Sequence, residues 1–270
     1  MSALETIGLQ ATAPSTGAAF PAVAGNSLTI RDSRANIQLL EVIQKRQATV
    51  GFNRLTSPLL HDSTVGIQVQ CGINTVATHR IDGQKLYAQD TLTSFGSGSA
   101  TAGDIELCAL QVYYENLPGV DANLITIDEL DRRGTDSYVF TNTVVATAAG
   151  GYTGSVAINA VQDQLKANRE YAITGVSGAV TAAVAAWRFV GPDWGNLGIC
   201  CPAPSVSGIH AEMLSFYFPL LSQKSRLATI PVLNAANKAL TFISALADEN
   251  GGSTVVNVHM VLLAPKTGRR

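Results

Sequence analysis

Three consecutive residues, His61, Asp62 and Ser63, have the side-chain types of an acyl-transfer triad. In such a triad the imidazole must lie between the nucleophilic hydroxyl and the carboxylate, whereas consecutive side chains of an extended segment point in opposite directions. The sequence also lacks the Gly-x-Ser-x-Gly elbow that exposes a nucleophilic serine. We therefore expect a turn after Pro58, closed by the Asp62 and Ser63 side chains, and we predict no catalytic residue and no enzyme.

The histidines and cysteines lack the spacing of metal ligands. No two histidines are two or four positions apart, so neither a strand nor a helix would present two imidazoles to one ion. The cysteines form no Cys-x-x-Cys pair, and adjacent cysteines rarely bridge each other because the geometry is strained. We predict no metal site, no cofactor and reduced, buried thiols, with His259 satisfied in a core or an interface. The residues concerned are His61, His79, His210, His259, Cys71, Cys108, Cys200 and Cys201.

Two glycine-rich stretches and two tryptophans could bind a ligand. Residues 96–99 and 251–252 resemble phosphate-binding loops in composition, but each precedes a predicted strand, whereas a dinucleotide fold places its glycines between a strand and a helix. Trp187 and Trp194 could stack on a base or a sugar. In the internal repeat described below, Trp187 occupies the position in the second copy that Phe52 occupies in the first. We therefore predict that Trp187 packs in a core.

Charged residues make up only 14% of the chain, and the formal net charge is -2. Residues 1–30 contain no Lys or Arg, so a basic arm is absent. A nucleic-acid-binding surface requires clustered positive charge, which this composition does not supply. Low charge suits a chain whose surface is covered by neighbours, because charged residues are depleted where permanent contacts exclude water.

The N-terminal residues do not have the charged start and apolar stretch of a secretion signal. The longest weakly polar tract, residues 176–187, is shorter than the roughly 20 apolar residues that a membrane-spanning helix needs. We expect a soluble protein that is not exported by the secretory route.

The order of motifs in the first part of the chain recurs in the second, which indicates an internal duplication. The motifs of the first copy are Ser-Leu-Thr-Ile at 27–30, Arg-Ala-Asn at 34–36, and a run at 48–58 that contains Phe52 and Arg54 and ends in Pro58. Those of the second copy are Ser-Val-Ala-Ile at 155–158, Lys-Ala-Asn at 166–168, and a run at 183–192 that contains Trp187 and Arg188 and ends in Pro192. After each proline a glycine precedes an apolar stretch, at Gly66 and at Gly198.

Short runs of Val, Ile, Thr and aromatic residues, separated by Gly, Ser, Asn and Pro, predict β-strands in both copies. Residues 141–147 and 171–174 are typical strand sequences. Residues 35–47 and 158–170 have apolar residues near helical spacing and predict short helices. Each copy ends with a strand, a Gly-rich turn and a strand, which predicts a closing hairpin in each.

These patterns predict a mainly β protein built from two tandem antiparallel sandwiches with a few short helices. The densest charge, at residues 128–133, predicts an exposed loop or bridging segment between the copies. The predicted boundaries are an N-terminal arm at 1–20, a first sandwich at 21–116, a connecting segment at 117–149, a second sandwich at 150–266 and a C-terminal tail at 267–270.

The sequence resembles the small double jelly-roll major capsid proteins of tailless icosahedral viruses, the group that includes corticovirus-like and related bacterial and archaeal viruses. Residues 21–30, Pro-Ala-Val-Ala-Gly-Asn-Ser-Leu-Thr-Ile, look like the opening of the first jelly roll in that group. The duplication, which covers most of the chain, carries the rest of the resemblance.

The resemblance implies that each sandwich is a jelly roll and that the chain forms a homotrimer, a pseudo-hexagonal capsomer of an icosahedral bacteriophage shell. It implies contacts with neighbouring capsomers, with penton and minor capsid proteins and with an internal membrane, and no sequence-specific contact with nucleic acid. The protein would be assembled in the host cytoplasm and located in the virion capsid.

Two other interpretations remain open at this point. A carbohydrate- or receptor-binding β-sandwich of a virion spike or surface appendage would use exposed Trp194 and Tyr152 to stack on a sugar. A single-jelly-roll shell protein with a second, decorating domain would fit copies of only about 100 residues, which is near the lower limit for eight strands.

Arg54 and Arg188 are the mid-strand charges that both copies share, which predicts a structural salt bridge or an inter-subunit contact. We expect that Arg54→Ala or Arg188→Ala impairs assembly more than it impairs folding of the isolated chain. Particle yield by electron microscopy, compared with the thermal unfolding of each variant, tests this. Normal particles from both variants would contradict it.

Overall fold

The structure is a computed structural model. It describes residues 2–12, 27–31, 36–48, 50–59, 66–71, 76–97, 101, 104–158, 165–180, 184–203, 210–211, 227–248 and 251–266. The strands are β1 Ser2–Thr12, β2 Ser27–Thr29, β3 Ile37–Arg46, β4 Gly51–Thr56, β5 Ile67–Cys71, β6 Ala77–Leu86, β7 Thr91–Gly96, β8 Ile105–Glu115, β9 Leu124–Ile125, β10 Gly134–Val145, β11 Tyr152–Ala157, β12 Glu170–Val180, β13 Val184–Val190, β14 Ile199–Pro202, β15 His210–Ala211, β16 Ile230–Asn234, β17 Phe242–Ala247 and β18 Ser253–Leu263. The helices are α1 Ile127–Arg133 and the 3-10 helices Pro192–Trp194 and Ala235–Leu240.

The first eight strands form two antiparallel four-stranded sheets. One has the order β1-β8-β3-β6 and the other the order β2-β7-β4-β5. If the strands are lettered B to I along the chain, these orders are B-I-D-G and C-H-E-F. Successive strands of the chain lie in opposite sheets, except for E and F, which pair with each other. This strand order is that of a jelly roll. We call these eight strands the first roll.

The later strands repeat the same order. One sheet has the order β10-β18-β12-β16, extended by β9 and with β15 also paired to β12, and the other has the order β11-β17-β13-β14. We call β10 to β18 the second roll. A β-bulge lies in the third strand, D, of each roll, at Leu40 in β3 and at Thr174 in β12. The two rolls therefore share strand order and the place of an irregularity, and the prediction of a mainly β, double jelly-roll fold is confirmed.

The predicted closing hairpins are wrong. β7 pairs with β2 and β4, whereas β8 pairs with β1 and β3, so these successive strands lie in opposite sheets. β17 and β18 are separated between the sheets of the second roll in the same way. A Gly-rich connection of this length can close a hairpin or cross between the layers of a sandwich, and its composition does not distinguish the two.

Three predicted boundaries differ from those of the structure. Residues 2–12, predicted as part of an arm at 1–20, form β1, which pairs along its whole length with β8. Residues 27–29, predicted at the opening of the first roll, are its second strand, and residues 21–26 lie outside the described residues. The second roll begins at Gly134 and not at residue 150, because β10 is its first strand. The predicted tail at 267–270 also lies outside the described residues.

The helix predicted at residues 35–47 is wrong, because Ile37–Arg46 is β3. All but one of its residues are buried, since both faces of this strand are covered, and the alternation that marks a strand is therefore lost. For the second predicted helix, at 158–170, residues 159–164 lie outside the described residues, and Glu170 begins β12.

The charged run at 128–133, predicted as a loop, forms most of α1 and does bridge the two rolls. The hydroxyl of Thr126 accepts a hydrogen bond from the Glu129 amide and caps the first turn. Arg133 in the last turn forms ion pairs with Glu129 and with Glu170 of β12, which fixes the helix to the second roll. Local charge pairing thus makes a short helix from residues that composition alone assigns to a loop.

The core of the first roll includes a buried ion pair. The guanidinium of Arg46 donates to the Asp104 carboxylate at 3.2 Å, and both side chains have no exposed surface. Arg46 also donates to the Ser97 hydroxyl at 2.8 Å and to the Ser97 carbonyl, so β3 is connected to the end of β7. Charges buried this deeply are tolerated only when they are paired and hydrogen-bonded.

We expect Asp104→Asn to destabilise the chain by about 3–5 kcal/mol, because it leaves the Arg46 charge buried without its counter-ion. Urea unfolding followed by circular dichroism measures the difference. Glu129→Gln is the control: it removes a partly exposed carboxylate and leaves Arg133 paired with Glu170, and we expect a change of at most about 1 kcal/mol. Equal effects of the two substitutions would contradict the prediction.

Candidate functional site

Among the described residues, a second buried apolar cluster, separate from the main core, lies between the rolls. The outer face of β1, β8 and β3 packs against the outer face of the sheet formed by β11, β17, β13 and β14. We call this contact the inter-roll interface. Its buried apolar residues are Ile43, Leu107 and Ala109 from the first roll and Ala185, Ala186, Cys200 and Leu246 from the second. Burial of such side chains contributes about 1.5–3 kcal/mol for each large aliphatic residue.

Gln111 in β8 forms the polar centre of the inter-roll interface. Its side chain has no exposed surface, and its carbonyl oxygen accepts a hydrogen bond from the Cys200 backbone amide at 2.7 Å. Its amide nitrogen donates to the Glu5 carbonyl at 3.0 Å, and the Thr6 hydroxyl donates to its oxygen at 3.3 Å. One glutamine therefore joins β1, β8 and β14 across the contact.

The edge of the interface is closed by backbone and aromatic contacts. The Thr6 amide donates to the Leu197 carbonyl at 3.0 Å. The Tyr152 ring packs on Gly8, where an added Cβ would lie 2.9 Å from a ring carbon, so glycine allows the close approach of β1 to the second roll. The Arg188 guanidinium lies 4.5 Å from the centroid of the same ring.

Burial in this region suppresses side-chain ionisation. Burial raises the pKa of the Tyr152 hydroxyl well above its ordinary value, with smaller effects from the surrounding charges. Burial likewise raises the pKa of the Cys200 and Cys201 thiols, and it raises the pKa of Cys108 to about 12. These three cysteines are free, as predicted, and protonated thiols are poor nucleophiles. Of these cysteines, Cys200 packs in the inter-roll interface, whereas Cys108 and Cys201 pack in the main core.

The residues first considered for chemistry are not brought together by the described structure. His61, Asp62 and Ser63 lie outside the described residues. Only the backbone of His79 and His210 is described, in β6 and β15. The His259 ring, half-buried in β18, lies 2.8 Å from the Ser177 hydroxyl, so the prediction of a satisfied histidine is confirmed.

Within the described part of the chain, no three His, Cys, Asp or Glu side chains are grouped as metal ligands would be. Over the same residues, no helix has the length and apolar character needed to cross a membrane. Of the glycine-rich stretches, Gly96 ends β7 and residues 98–99 lie outside the described residues, while Gly251 and Gly252 connect β17 to β18.

The residues proposed for sugar stacking are not available for it. Trp194 has no exposed surface, and the ring of Tyr152 is used in the inter-roll interface. The predicted core position of Trp187 is confirmed, since its side chain is fully buried and its indole N–H donates to the Thr254 hydroxyl at 3.0 Å.

The predicted correspondence of Phe52 with Trp187 is wrong by one position. Arg54 pairs with Gln68 and Arg188 pairs with Cys200, so the arginines correspond and Phe52 corresponds to Ala186. Because side chains alternate between the faces of a strand, Phe52 points outward and is 45% exposed, whereas Trp187 points into the core.

The two arginines share a strand and a face. Both are on the outer face of the E strand of their roll, and each lies over an aromatic ring. The Arg54 guanidinium is 4.9 Å from the centroid of the Phe95 ring on β7, and that of Arg188 is 4.5 Å from the centroid of the Tyr152 ring on β11, so the rings themselves do not correspond. Arg188 is half-buried, and an inter-subunit role for Arg54 stays a prediction.

Sequence reasoning did not identify Gln111 or Gly8. A glutamine within the apolar run of β8 and a glycine within β1 were the available signals, because a buried polar side chain needs partners and a strand glycine often marks a close approach. The strand order that gives these residues their partners could not be read from one sequence.

Comparisons with known proteins give neighbours at the level of fold only. No family model matches the chain, and no curated protein matches it. The PBSX exported protein XepA is 13% identical over 95% of this chain and 86% of its own, with a TM-score of 0.28. The major capsid protein P2 of bacteriophage PM2 is 11% identical over 97% and 100%, with a TM-score of 0.21, and the STIV MCP is 10% identical over 96% of each chain, with a TM-score of 0.20. Viral capsid proteins are thus among the structural neighbours, at a similarity that does not identify a function.

We expect Gln111→Leu to destabilise the protein by about 1–3 kcal/mol, because the buried Cys200 amide and Glu5 carbonyl lose their partner. Chemical denaturation measures this, and the loss of protection of the Cys200 amide in hydrogen exchange locates it. Gln84→Leu, in the partly exposed part of β6, is the matched control, for which we expect a change within about 0.5 kcal/mol. An unchanged Cys200 amide would show that Gln111 does not join the rolls.

Proposed function

We propose that this chain is the major capsid protein of a virus and that three copies form a pseudo-hexagonal capsomer of an icosahedral shell. The observation that carries the proposal is the presence of two complete jelly rolls with equivalent strand order, packed sheet against sheet in one chain. Three such chains supply six equivalent units, and a closed ring of six units fills a hexagonal lattice position.

The composition and surface of the chain support an assembly role. Only 14% of residues are charged, and large apolar side chains are exposed on strands and connections of both rolls. Low charge together with exposed large apolar side chains suits a surface that other proteins cover. The exposed large apolar residues are Val50, Phe52, Leu59, Tyr87, Val139, Val145, Leu240 and Phe242.

The proposal gives the chain a structural role without catalysis. In it, the partners are other copies of the chain, neighbouring capsomers, and penton and minor capsid proteins, with an internal membrane beneath the shell. The bacteriophage host, assembly in the host cytoplasm and final location in the virion belong to the same proposal. The net charge of -2 supports leaving contact with the genome to other proteins.

Light scattering coupled to size exclusion tests the oligomeric part of the proposal. We expect a particle of about 85 kDa, three times the 28.3 kDa of the chain, at micromolar concentration. Raising the salt concentration is expected to leave the trimer intact, because a weakly charged contact depends little on ion pairs. A stable monomer or dimer under these conditions would contradict a trimeric capsomer.

A further inference from the structure

Corresponding faces of the two rolls differ in what covers them. In the first roll, the outer face of β1 and β8 is buried by the second roll in the inter-roll interface. In the second roll, the same two strands are β10 and β18, and their outer face is partly open to solvent. We call it the open face. Its residues are Val139, Thr141, Thr143, Val145, Val255, Asn257 and His259.

The β-bulges fix which residues correspond. Beside the bulge of the first roll, Glu41 pairs with Gln111, and beside that of the second, Gly175 pairs with His259. His259 therefore occupies the position in the second roll that Gln111 occupies in the first roll, where Gln111 lies in the inter-roll interface. Stepping along the strands, Asn257 corresponds to Ala109 and Val139 corresponds to Thr6.

The open face has the composition of a surface that contacts another protein. Val139 is 53% exposed and Val145 is 48% exposed, although the residues between them that point inward, such as Phe140 and Val144, are buried. None of the open-face side chains carries a formal charge. An uncharged strand face with exposed valines is typical of a surface that contacts another protein.

The first roll has a surface that corresponds to the other half of the inter-roll interface. There the outer face of β4, β5 and β7 corresponds to the face of the second roll that forms half of the inter-roll interface. We call it the partner face. It contains Phe52, Arg54, Phe95, Gln68 and Gln70, and Phe52 and the glutamines are exposed.

The correspondence between the partner face and the covered face of the second roll is supported by strand register. Each face has an arginine over an aromatic ring, but the rings lie on strands that do not correspond, Phe95 on β7 and Tyr152 on β11. The strands β5 and β14 each begin after a glycine with positive φ, 82° at Gly66 and 84° at Gly198. By this register Gln68 corresponds to Cys200, and Phe52 corresponds to Ala186.

We propose that the open face of one copy binds the partner face of a second copy of this chain, in a contact that repeats the inter-roll interface. The inference rests on the proposed homotrimer and names the surfaces that form it. Such a contact joins two different faces, so it propagates from copy to copy and closes into a ring when the rotation allows. In this arrangement His259 of one copy lies against Gln68 of the next, as Gln111 lies against Cys200 within the chain.

The test uses a charge at one face and its complement at the other. His259→Glu introduces a carboxylate that can still accept from Ser177 but is unpaired when the face is covered, so the trimer is expected to dissociate at concentrations at least about tenfold higher than for the unaltered protein. Adding Gln68→Lys in the same chain provides the opposite charge from the neighbouring copy and is expected to restore most of the affinity. Ser155→Lys, exposed on β11 and on neither face, is the matched control and is expected not to restore it.

Mass by light scattering across a dilution series, with thermal unfolding to confirm that each variant folds, separates the outcomes. Rescue by Gln68→Lys and not by Ser155→Lys supports the contact. A trimer that is unaffected by His259→Glu, or rescued equally by both lysines, overturns the pairing of these faces while leaving the proposed capsomer standing. An unaltered protein that is monomeric overturns both.

Discussion

The structure depends on one sheet being buried on both of its faces. β1, β8 and β3 cover the core of the first roll on one side and contact the second roll on the other, so β3 and β8 are buried along almost their whole length. A sheet in this position cannot leave polar groups unsatisfied, because water reaches neither face. Gln111 meets this requirement between the rolls, and the Arg46 and Asp104 pair meets it within the first roll. The rolls are therefore halves of one packed unit.

The two rolls differ in how burial runs along their strands. A sheet with one solvated face alternates buried and exposed residues, whereas a sheet covered on both faces buries nearly every side chain, as β3 and β8 do. On the second roll, β10 retains the alternation, with buried Phe140, Asn142 and Val144 between exposed neighbours. The exposed positions of β10 are nevertheless uncharged from Val139 to Val145, which is the pattern expected of a surface that another protein covers.

The sequence predicted the duplication and the β class because each roll builds equivalent strands from similar motifs. It correctly paired Arg54 with Arg188, which occupy the same strand and the same face. It misaligned Phe52 with Trp187, because the order of residue types does not determine register, and a shift of one residue moves a side chain from core to surface. It assigned β3 to a helix because two-sided burial removes the period of two. It assigned the ends of the rolls to hairpins and residues 2–12 to an arm because strand pairing between distant segments leaves no local signal. Gln111 became a central residue only when its distant partners were known.

The central claim is that the chain consists of two equivalent rolls that tile as six units in a trimer. Single-particle electron microscopy of the purified protein tests it most directly. The account predicts a flat ring of six similar lobes from three chains, in which residues 2–115 and 134–263 superpose strand for strand and the β10–β18 face of each chain is covered by the next. A map in which the two parts of the chain fail to superpose, or in which the particle is a single chain with that face bare, would contradict it.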